Sequence, residues 1–544
     1  MQDDELTPPG PGRWALDRSH FPGGTTPICQ WLMEDSMDAG LGRAFAELGV
    51  PADSVQARFV DGFMYTRLRP LLRPDAAGTK LPPAVVLRVA TRVHPEFRRR
   101  EKAAASSLRT RPWLEVASRW QSDIKPALEA QNRRFQAVDI DALDDADLAR
   151  HVAELLEHCR IHAEMHFWLH GHDLGPIARY LYTCERWGIT AADALPALAG
   201  ASPSTSEPLR QLVRLRALVD AAGVVPSSLD DIRAISPEAA ALGEVLVEQR
   251  GQLIVTRYDI DGLTLGELPG TVLLSVRSAT PAEVDGHEAA ILALRARVPD
   301  GERALFDEVL GDARAVMDMR DDNGPLTVEW PAGLLRRALL TVGTRLAATG
   351  RIADAEHALE LTPAEARVVL RTNTPTAAEL AARAEERARQ ARRSPPPVLG
   401  PEEPAPPLDV LPPNLAQMVA MVQTALSQMG MLGERIVDPL SGAGVGTEAY
   451  QGRVRIATSP EQAIDTLEPG DVLVVRATSP AFNAVLSIAG AVVTAEGGPL
   501  SHAAVLAREL GIPAVVGASG ALDLQDGALV EVDPRVGAVR VLTG

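Results

Sequence analysis

The sequence predicts a multidomain α+β protein, in which a large, mainly helical N-terminal domain is joined by a proline-rich linker to a small α/β domain. Three observations predict this fold class. The chain has 544 residues, which is more than one hydrophobic core usually organises. Nine prolines fall within residues 394–413. After residue 444 the pattern changes from helical spacing to short β-rich runs separated by Gly, Pro and Asp.

Residues 20–393 are predicted to form the mainly helical domain, after an N-terminal tail at residues 1–19. Ala, Leu and Arg recur every three or four residues, as they do between Thr376 and Arg393, which is the spacing of an amphipathic helix. Runs typical of strands are few here, and Gln252–Tyr258 and Gly270–Val276 are the best of them. We therefore expect a helical domain with a small strand-containing insert.

The linker at residues 394–413 cannot continue a helix or a central strand, because proline lacks an amide hydrogen and fixes φ. Such a segment favours extended polyproline geometry at ~3.1 Å per residue, so that it spans up to ~60 Å. The sequence therefore predicts a semi-rigid arm on which the C-terminal domain swings.

The C-terminal domain, residues 414–544, is predicted to open with a helix at Asn414–Met429 and to continue as an α/β unit. Ser459 and Pro460 have the pattern of an N-cap followed by a first helical residue. The expected strands are Gly452–Ile456, Asp471–Arg476, Ala491–Thr494, Ala514–Val516, Ala528–Val532 and Ala538–Leu542.

The charge balance argues against whole classes of partner. The 54 Lys and Arg residues against 72 Asp and Glu residues give a formal net charge of -18, which disfavours nucleic acids and anionic membranes. The acidic N-terminus lacks the basic and apolar blocks of a signal peptide, and no apolar run of about eighteen residues occurs. Together with the small number of cysteines, these features predict a cytoplasmic protein that binds neither nucleic acid nor membrane.

The segment from Ala491 to Gly517, AVVTAEGGPLSHAAVLARELGIPAVVG, has the pattern of a strand, a glycine turn, a helix, a glycine stop and a second strand. Gly497 and Gly498 permit turn conformations that other residues avoid, and Ser501 is a good N-cap for the helix that follows. The pattern therefore places His502 at a helix N-terminus, with Gly497, Gly498 and Ser501 as phosphate-binding candidates.

A histidine at such a helix start suits phosphoryl transfer. Unpaired amides and the positive end of the helix dipole stabilise an anion held against the imidazole. The same field disfavours imidazolium, so that the ring stays a neutral nucleophile near pH 7. Position alone favours the simpler explanation, in which His502 is a hydrogen-bonded capping or core residue.

The stretch GGPLSHAAVLARELGIPAVVG resembles the phosphohistidine signature of phosphoenolpyruvate-utilising enzymes, a family that includes pyruvate phosphate dikinase, phosphoenolpyruvate synthase and rifampicin phosphotransferase. The resemblance runs from Leu440 to Leu542 and covers nearly the whole domain. It implies a swivelling carrier domain whose catalytic, phosphoryl-bearing residue is His502. Arg508 and Glu509 belong to the same signature, and their distance from His502 along the helix indicates structural roles.

Three segments of the helical region are similar to the drug-binding part of rifampicin phosphotransferases: His20–Leu32, Arg119–Leu128 and Leu339–Ala366. This resemblance implies a substrate-binding domain. The chain contains no P-loop of GxxxxGK type, and the similar segments begin after the family's ATP-binding domain. We therefore expect this chain to hold no metal, and ATP and Mg²⁺ to act through a separate ATP-grasp partner that phosphorylates His502 in trans.

Four histidines recur every four residues and share one stripe of a predicted helix: His158, His162, His166 and His170. They fit a candidate substrate pocket that activates a hydroxyl group, with Glu164 and Asp173 orienting the imidazoles. A metal site and a structural face of hydrogen-bonded histidines are the alternatives, and the structural one is slightly favoured.

These patterns lead to one hypothesis and one rival. In the hypothesis, the chain is a phosphotransferase subunit in which His502 carries a phosphoryl group from an ATP-grasp partner to a small-molecule hydroxyl held by the helical domain. Because a phosphorylated alcohol can act as a leaving group, the net reaction is either phosphorylation or dehydration. The rival is a non-catalytic binding or regulatory protein that retains the family fold.

Overall fold

The computed structural model of the chain describes residues 6–17, 20–76, 81–246, 250–279, 286–404, 406–429, 438–478, 482–486 and 488–542. Its contacts divide the chain into two compact units. The first comprises residues 1–173, 257–262 and 323–420, and the second comprises residues 174–256, 263–322 and 421–544. The predicted helical domain at residues 20–393 is therefore shared between the two units, and the first unit ends within the predicted C-terminal domain.

Helices dominate the chain and β-sheets are confined to parts of it, which confirms the predicted α+β class. Among the described helices, none is both long and apolar enough to cross a bilayer. The α-helices are α1 (Pro27–Leu48), α2 (Ala84–Val93), α3 (Pro95–Thr110), α4 (Pro112–Arg119), α5 (Lys125–Gln136), α6 (Asp145–Glu185), α7 (Ala191–Ala194), α8 (Pro203–Ala222), α9 (Leu229–Arg233), α10 (Pro237–Glu244), α11 (Pro269–Ser278), α12 (Gly286–Arg297), α13 (Arg303–Ala315), α14 (Met317–Gly324), α15 (Trp330–Ala348), α16 (Pro363–Ala366), α17 (Ala377–Gln390), α18 (Pro413–Gln428), α19 (Pro460–Thr466), α20 (Asn483–Leu486) and α21 (His502–Leu510).

The strands fall into two sheets, one in each unit. They are β1 (Trp14–Asp17), β2 (Ala52–Val60), β3 (Phe63–Pro70), β4 (Val398–Leu399), β5 (Ala443–Val445), β6 (Tyr450–Ile456), β7 (Val472–Val475), β8 (Ala491–Thr494), β9 (Ala514–Val516), β10 (Leu529–Asp533) and β11 (Ala538–Val541).

The first unit contains a four-stranded sheet in the order β2-β3-β1-β4. The β2–β3 hairpin turns at Asp61-Gly62, whose φ angles of 53° and 73° suit a turn that matches the twist of the strands. β1 lies within the predicted N-terminal tail, yet it pairs with β3 and β4. Trp14 is buried there with Tyr65 and Leu399. The tail prediction is therefore wrong for Trp14–Asp17, because this aromatic side chain contributes to a core, while residues 1–5 lie outside the described residues.

The proline-rich segment at residues 394–413 lies along the first unit instead of forming an extended arm. Tyr65 donates a hydrogen bond from its hydroxyl to the Pro396 carbonyl over 2.8 Å. Arg67 pairs with Glu403 over 3.3 Å, and both side chains are largely buried. Proline leaves its carbonyl free to accept hydrogen bonds, so a proline-rich stretch can be fixed in place without joining a helix.

The helical part of the second unit packs α8, α9, α10 and α11 around a buried apolar core that includes Leu215, Ile232 and Val276. Gly270–Val276, predicted as a strand, lies within α11. Gln252–Tyr258, the other predicted strand, is irregular apart from a bridge between Ile254 and Thr264. Both predictions are wrong, because Pro269 starts a helix and packing overrides the β propensity of the valines.

The C-terminal part of the second unit is built on a seven-stranded sheet in the order β11-β10-β6-β7-β8-β9-β5. Strands β6 to β9 run parallel, and β10, β11 and β5 pair antiparallel at the two sides. Successive side chains enter opposite cores, with Leu473 and Val492 on one face and Val474 and Val493 on the other. The predicted α/β unit and its strands are confirmed, and β5 is an additional strand.

Candidate functional site

The loops around His502 lie at the carboxyl ends of parallel strands, where α/β sheets commonly bind ligands. β7 leads to Thr478, β8 leads to the glycine turn, and β9 leads to Gly517. Thr494 joins the loops after β8 and β9, because its hydroxyl donates to the Glu496 carbonyl (2.7 Å) and accepts from the Gly517 amide (3.4 Å). The parallel sheet therefore sets the framework of the site.

The glycine turn brings the backbone close to the start of α21. Gly497 has a φ of 106°, and a Cβ at this position would lie 3.0 Å from the Cβ of Ser501. The Ser501 amide donates to the Gly498 carbonyl over 2.8 Å, which closes the turn. Gly497 is therefore needed for its backbone conformation and for its lack of a side chain.

Ser501 occupies the predicted N-cap position, directly before α21 begins at His502. Its hydroxyl does not bond to the first turn of the helix. The Oγ atom is buried and has no hydrogen-bond partner among the described residues. Because a buried polar atom normally has a partner, this hydroxyl beside a helix start fits an oxygen of a phosphoryl group.

His502 presents a half-buried imidazole at the start of α21. Its Nδ1 lies 2.7 Å from the hydroxyl oxygen of Thr478. In the tautomer in which Nδ1–H donates to this oxygen, the lone pair that remains for chemistry is on Nε2. Burial lowers the pKa of His502 to about 4, so the ring is a neutral nucleophile at pH 7.

Two arginines hold the carbonyls of the His502 loop. Arg508, on α21 itself, donates to the Pro499 carbonyl over 3.1 Å, and burial lowers its pKa to about 10. Arg320, on α14, donates to the Leu500 carbonyl over 2.7 Å. Both cations therefore bind carbonyls that lie within two or three residues of the nucleophile, where they favour an added negative charge.

Glu509 joins α21 to the helical part of the same unit. Its carboxylate accepts a hydrogen bond from the Gly200 amide over 3.3 Å, and burial raises its pKa. The bonds that Arg508 and Glu509 make to backbone groups fit the structural roles expected for them. Thr478 and Arg320 are not among the residues predicted from the sequence. A short hydroxyl residue just after β7 was a usable signal for Thr478, whereas no local pattern marks Arg320.

The first two histidines of the stripe on α6 are buried within the first unit. His158 Nε2 lies 2.7 Å from the side-chain oxygen of Asn132, and burial lowers the pKa of His158 to about 3. His162 Nδ1 lies 2.8 Å from the His158 carbonyl, while its Nε2 is buried without a partner among the described residues. These two imidazoles are therefore neutral parts of the interior.

The other two histidines of the stripe are partly exposed and are bonded to polar side chains. His166 Nδ1 lies 3.0 Å from the hydroxyl of Thr327. His170 Nδ1 lies 3.0 Å from the carboxylate of Asp173, which is fully buried. Of the two residues predicted to orient these imidazoles, Asp173 contacts His170. Glu164 pairs with Arg160 instead.

A small, mainly apolar pocket lies within the first unit beside the stripe. Its walls include Ala163 from α6 together with Leu32, Met33 and Ile260, and Thr327, Tyr258 and Asp259 supply polar groups. Thr327 is the residue that links this pocket to the stripe. Among the described residues, no three His, Cys, Asp or Glu side chains form an arrangement that suits a metal ion.

Asp259 is a buried carboxyl group of this pocket. Its oxygens accept hydrogen bonds from the Thr26 amide (2.7 Å) and the Thr26 hydroxyl (2.5 Å). Burial, followed by the neighbouring charge of Asp261, raises the pKa of Asp259 to about 6. These bonds fix the start of α1, whose N-cap is Thr26, against one wall of the pocket.

The C-terminal domain matches a known protein family. Residues 467–537, which include His502, match the family described as "PEP-utilising enzyme, mobile domain". This part of the chain is therefore similar to the mobile domain of phosphoenolpyruvate-utilising enzymes. The resemblance seen in the sequence is thereby confirmed for residues 467–537, the part of the chain that contains His502.

Individual relatives agree with this family. A phosphoenolpyruvate synthase of Aeropyrum pernix is 51% identical over 89 residues, covering 16% of this chain and 11% of that protein. An uncharacterized phosphotransferase of Bacillus subtilis is 36% identical over 141 residues, covering 24% and 17%. A chondramide synthase of Chondromyces crocatus is 27% identical over 569 residues, covering 97% of this chain and 14% of that protein.

The chain spans only a small part of the length of each of these relatives. Two of them match 16% and 24% of this chain, whereas the chondramide synthase matches 97% of it, which includes the helical region. The mobile domain and the helical region that precedes it are therefore matched together by a single segment of another protein.

Proposed function

We propose that this chain is a phosphotransferase, or a subunit of one, in which His502 carries a phosphoryl group from a donor to the hydroxyl of a small molecule. The observation that carries the proposal is the imidazole of His502, which is half-buried at a helix start with Nδ1 bonded to Thr478. This geometry leaves Nε2 to react. The match of residues 467–537 to the mobile domain of phosphoenolpyruvate-utilising enzymes supports the same chemistry.

The transfer has two balanced steps. In the first, the Nε2 lone pair forms an N–P bond while the P–O bond to the donor breaks, and the donor leaves with the bonding electrons. In the second, the acceptor hydroxyl forms an O–P bond, the N–P bond breaks, and the acceptor proton passes to a base. The Ser501 hydroxyl and the start of α21 stabilise the charge of the phosphoryl group in both steps.

The donor in this proposal is an ATP-grasp protein that binds ATP and Mg²⁺ and acts in trans. Support comes from the resemblance of the helical region to rifampicin phosphotransferases and from the absence of a P-loop motif in the sequence. The acceptor is held by the helical part of the chain. The full-length similarity to a chondramide synthase favours an acceptor that is an intermediate in the synthesis of a larger molecule, where phosphorylation is followed either by release or by loss of the phosphate as a dehydration.

The experiment measures phosphoryl uptake by the whole chain. The protein is incubated with potassium phosphoramidate, a chemical phosphoryl donor, and separately with labelled ATP and a candidate ATP-grasp protein. We expect an acid-labile, base-stable label that is absent from His502→Ala and present in the control His94→Asn, which changes a histidine outside the second unit and keeps a side chain able to cap α3.

Two results would count against the proposal. A label of equal size in His502→Ala would assign the phosphoryl group to another residue. If neither donor labels the wild-type chain, the carrier role fails and the rival, a binding or regulatory protein that retains the family fold, is favoured.

A further inference from the structure

Helix α2 carries a stripe of valines that face solvent. Because successive residues of a helix are rotated by about 100°, four of them fall within a stripe about 100° wide: Val85, Val86, Val89 and Val93, whose surfaces are 68%, 53%, 55% and 63% exposed. Val85, Val89 and Val93 follow one another at intervals of about one turn and form a ridge about 12 Å long. Valine is a poor helix former, and an exposed valine gains nothing from burial. The folding of this chain therefore does not account for the stripe.

The other side of α2 attaches the helix to the proline-rich segment. Thr91 is the buried residue of α2, and its hydroxyl donates to the Val410 carbonyl over 2.9 Å. Arg92 donates to the same carbonyl over 3.1 Å, and Arg88 pairs with Asp409 over 3.0 Å. These polar bonds orient the helix and leave the valine stripe in solvent.

Helices α2 and α3 form a basic segment of an acidic chain. Residues 84–111 contain eight Lys or Arg residues and two Glu residues, whereas the whole chain has a formal net charge of -18. Arg98, Lys102 and Arg109 lie on one face of α3, are exposed, and pair with no carboxylate among the residues that the structure describes. Arg92, at the edge of the valine stripe, donates to carbonyl oxygens, which leave its positive charge in place. Cations therefore adjoin the apolar stripe.

Three kinds of occupant fit this surface poorly. A second copy of the chain, packed valine stripe against valine stripe, would bring two basic segments together, and like charges repel. A nucleic acid would place its phosphates against valines, which donate no hydrogen bonds to them. Helices that lie in a membrane surface insert bulky Trp, Phe and Leu side chains, whereas the exposed large apolar side chains of α2 are valines.

We infer that α2 and α3 form a docking surface for a partner protein that presents an acidic amphipathic helix. The valine ridge is as long as about two turns of such a helix, and a ridge of this kind packs into the groove of a second helix. Asp and Glu residues beside the partner's apolar stripe would face Arg92 and the cations of α3. Burial of the valines supplies the affinity, while the charges set the orientation and the rate of association. The inference is independent of the chemistry at His502.

The probe for this surface is a synthetic helical peptide with a stripe of leucines flanked by glutamates. Two control peptides have the same length: in one, lysines replace the glutamates, and in the other, serines replace the leucines. Fluorescence anisotropy measures the binding of each labelled peptide to the full chain. We expect a micromolar Kd for the acidic peptide, as for a small transient interface, and at least about tenfold weaker binding of both controls. Added NaCl should weaken the binding of the acidic peptide, because salt screens exposed charges.

Three variants locate the binding of the peptide. Val89→Ser removes one apolar side chain of the ridge, keeps the bond of Thr91, and is expected to weaken binding by about tenfold. Arg92→Gln keeps an amide that can donate to the Val410 carbonyl but removes the charge, so both the affinity and its salt dependence should fall. Val225→Ser changes a valine of the second unit that is 79% exposed, and it is expected to bind like the wild type. Circular dichroism and thermal unfolding check that each variant is folded.

Several results would overturn the inference. Equal binding of the acidic and basic peptides, or no binding of the acidic peptide up to about 1 mM, contradicts the charge complementarity. Unchanged affinity in folded Val89→Ser places the peptide elsewhere on the chain. Stronger binding to phosphatidylglycerol vesicles than to the peptide, lost in Val89→Ser, assigns the surface to a membrane. Dimerisation seen by analytical ultracentrifugation, lost in Val89→Ser and kept in Val225→Ser, assigns it to a second copy of this chain.

Discussion

At the scale of single residues, the hydrogen bond between Thr478 and His502 determines which nitrogen of the imidazole is available to react. An imidazole has two nitrogens of similar reactivity, and a fixed partner on Nδ1 commits the other nitrogen to the reaction. The pKa of about 4 for His502 keeps the ring unprotonated throughout the physiological range. Orientation and protonation state are therefore both set before any donor arrives.

Removing the Thr478 hydroxyl tests whether His502 needs this hydrogen bond to react. Thr478→Val has nearly the same shape but loses the bond to Nδ1, so label uptake from phosphoramidate is expected to fall about tenfold, equivalent to one net hydrogen bond of about 1.4 kcal/mol. The control is Thr466→Val, whose hydroxyl donates to the Gln462 carbonyl of its own helix (2.8 Å). Equal uptake by both variants would show that Nδ1 needs no partner.

At the scale of elements, the site depends on how closely the loops after β8 and β9 approach each other. Gly517 has a φ of 81°, and a Cβ there would lie 2.7 Å from the Gly497 carbonyl oxygen. Because both atoms belong to the backbone or are fixed to it, neither can yield without moving the turn that precedes His502. Gly511, at the end of α21, has a similar φ of 67° but open space around it.

This pair of glycines gives a matched prediction. Gly517→Ala and Gly511→Ala both carry the strain of a positive φ, about 1 kcal/mol or more, and only the first also produces the clash. We expect Gly517→Ala to lose at least about tenfold in label uptake at His502, and Gly511→Ala to keep most of it. Uptake is compared at a temperature where circular dichroism shows both variants folded. A similar loss in both would mean that strain, and not the approach of the loops, controls the site.

Some elements and site residues could be predicted from the sequence, and others could not. The strands of the mobile domain were found because short valine-rich runs between Gly, Pro and Asp have no competing helical pattern. Gly270–Val276 was misread as a strand because its valines suit either structure and Pro269 decides between them. His502 and its glycine turn were readable because they are contiguous. Thr478 and Arg320 were not readable from the sequence. The order of the strands brings Thr478 to the His502 loop, and the position of α14 brings Arg320 there.

At the scale of the whole molecule, several buried or partly buried imidazoles are held in their neutral form. Burial lowers the pKa of His158 to about 3 and that of His502 to about 4, and it also lowers the pKa of His162 and His166. In the unfolded chain these groups take protons near pH ~6.5, whereas in the folded chain they take them only at a lower pH. The unfolded state therefore binds more protons as the solution becomes acidic.

The sign of the resulting pH dependence follows directly. The free energy of unfolding is expected to fall as pH drops below about 6.5, by up to about 1.4 kcal/mol per pH unit for each buried histidine. Urea unfolding at pH 7.0, 6.0 and 5.5 measures this slope before most carboxylates titrate. His158→Gln should make the slope shallower by about one proton. A stability that stays flat over this range would mean that the histidines are solvated in the folded protein.

The anchoring of the proline-rich segment has a consequence for how far a phosphoryl group can travel. Tyr65 and Arg67 of the first unit hold Pro396 and Glu403 of the proline-rich segment. While these contacts last, the anchored part of the segment adds no length to the tether of the mobile domain. A shorter tether confines the nucleophile to a smaller volume and raises its local concentration for sites on the same polypeptide. Phosphoryl exchange between two copies of this chain is correspondingly disfavoured, so mixing a loaded chain with an unloaded one should leave the label where it began.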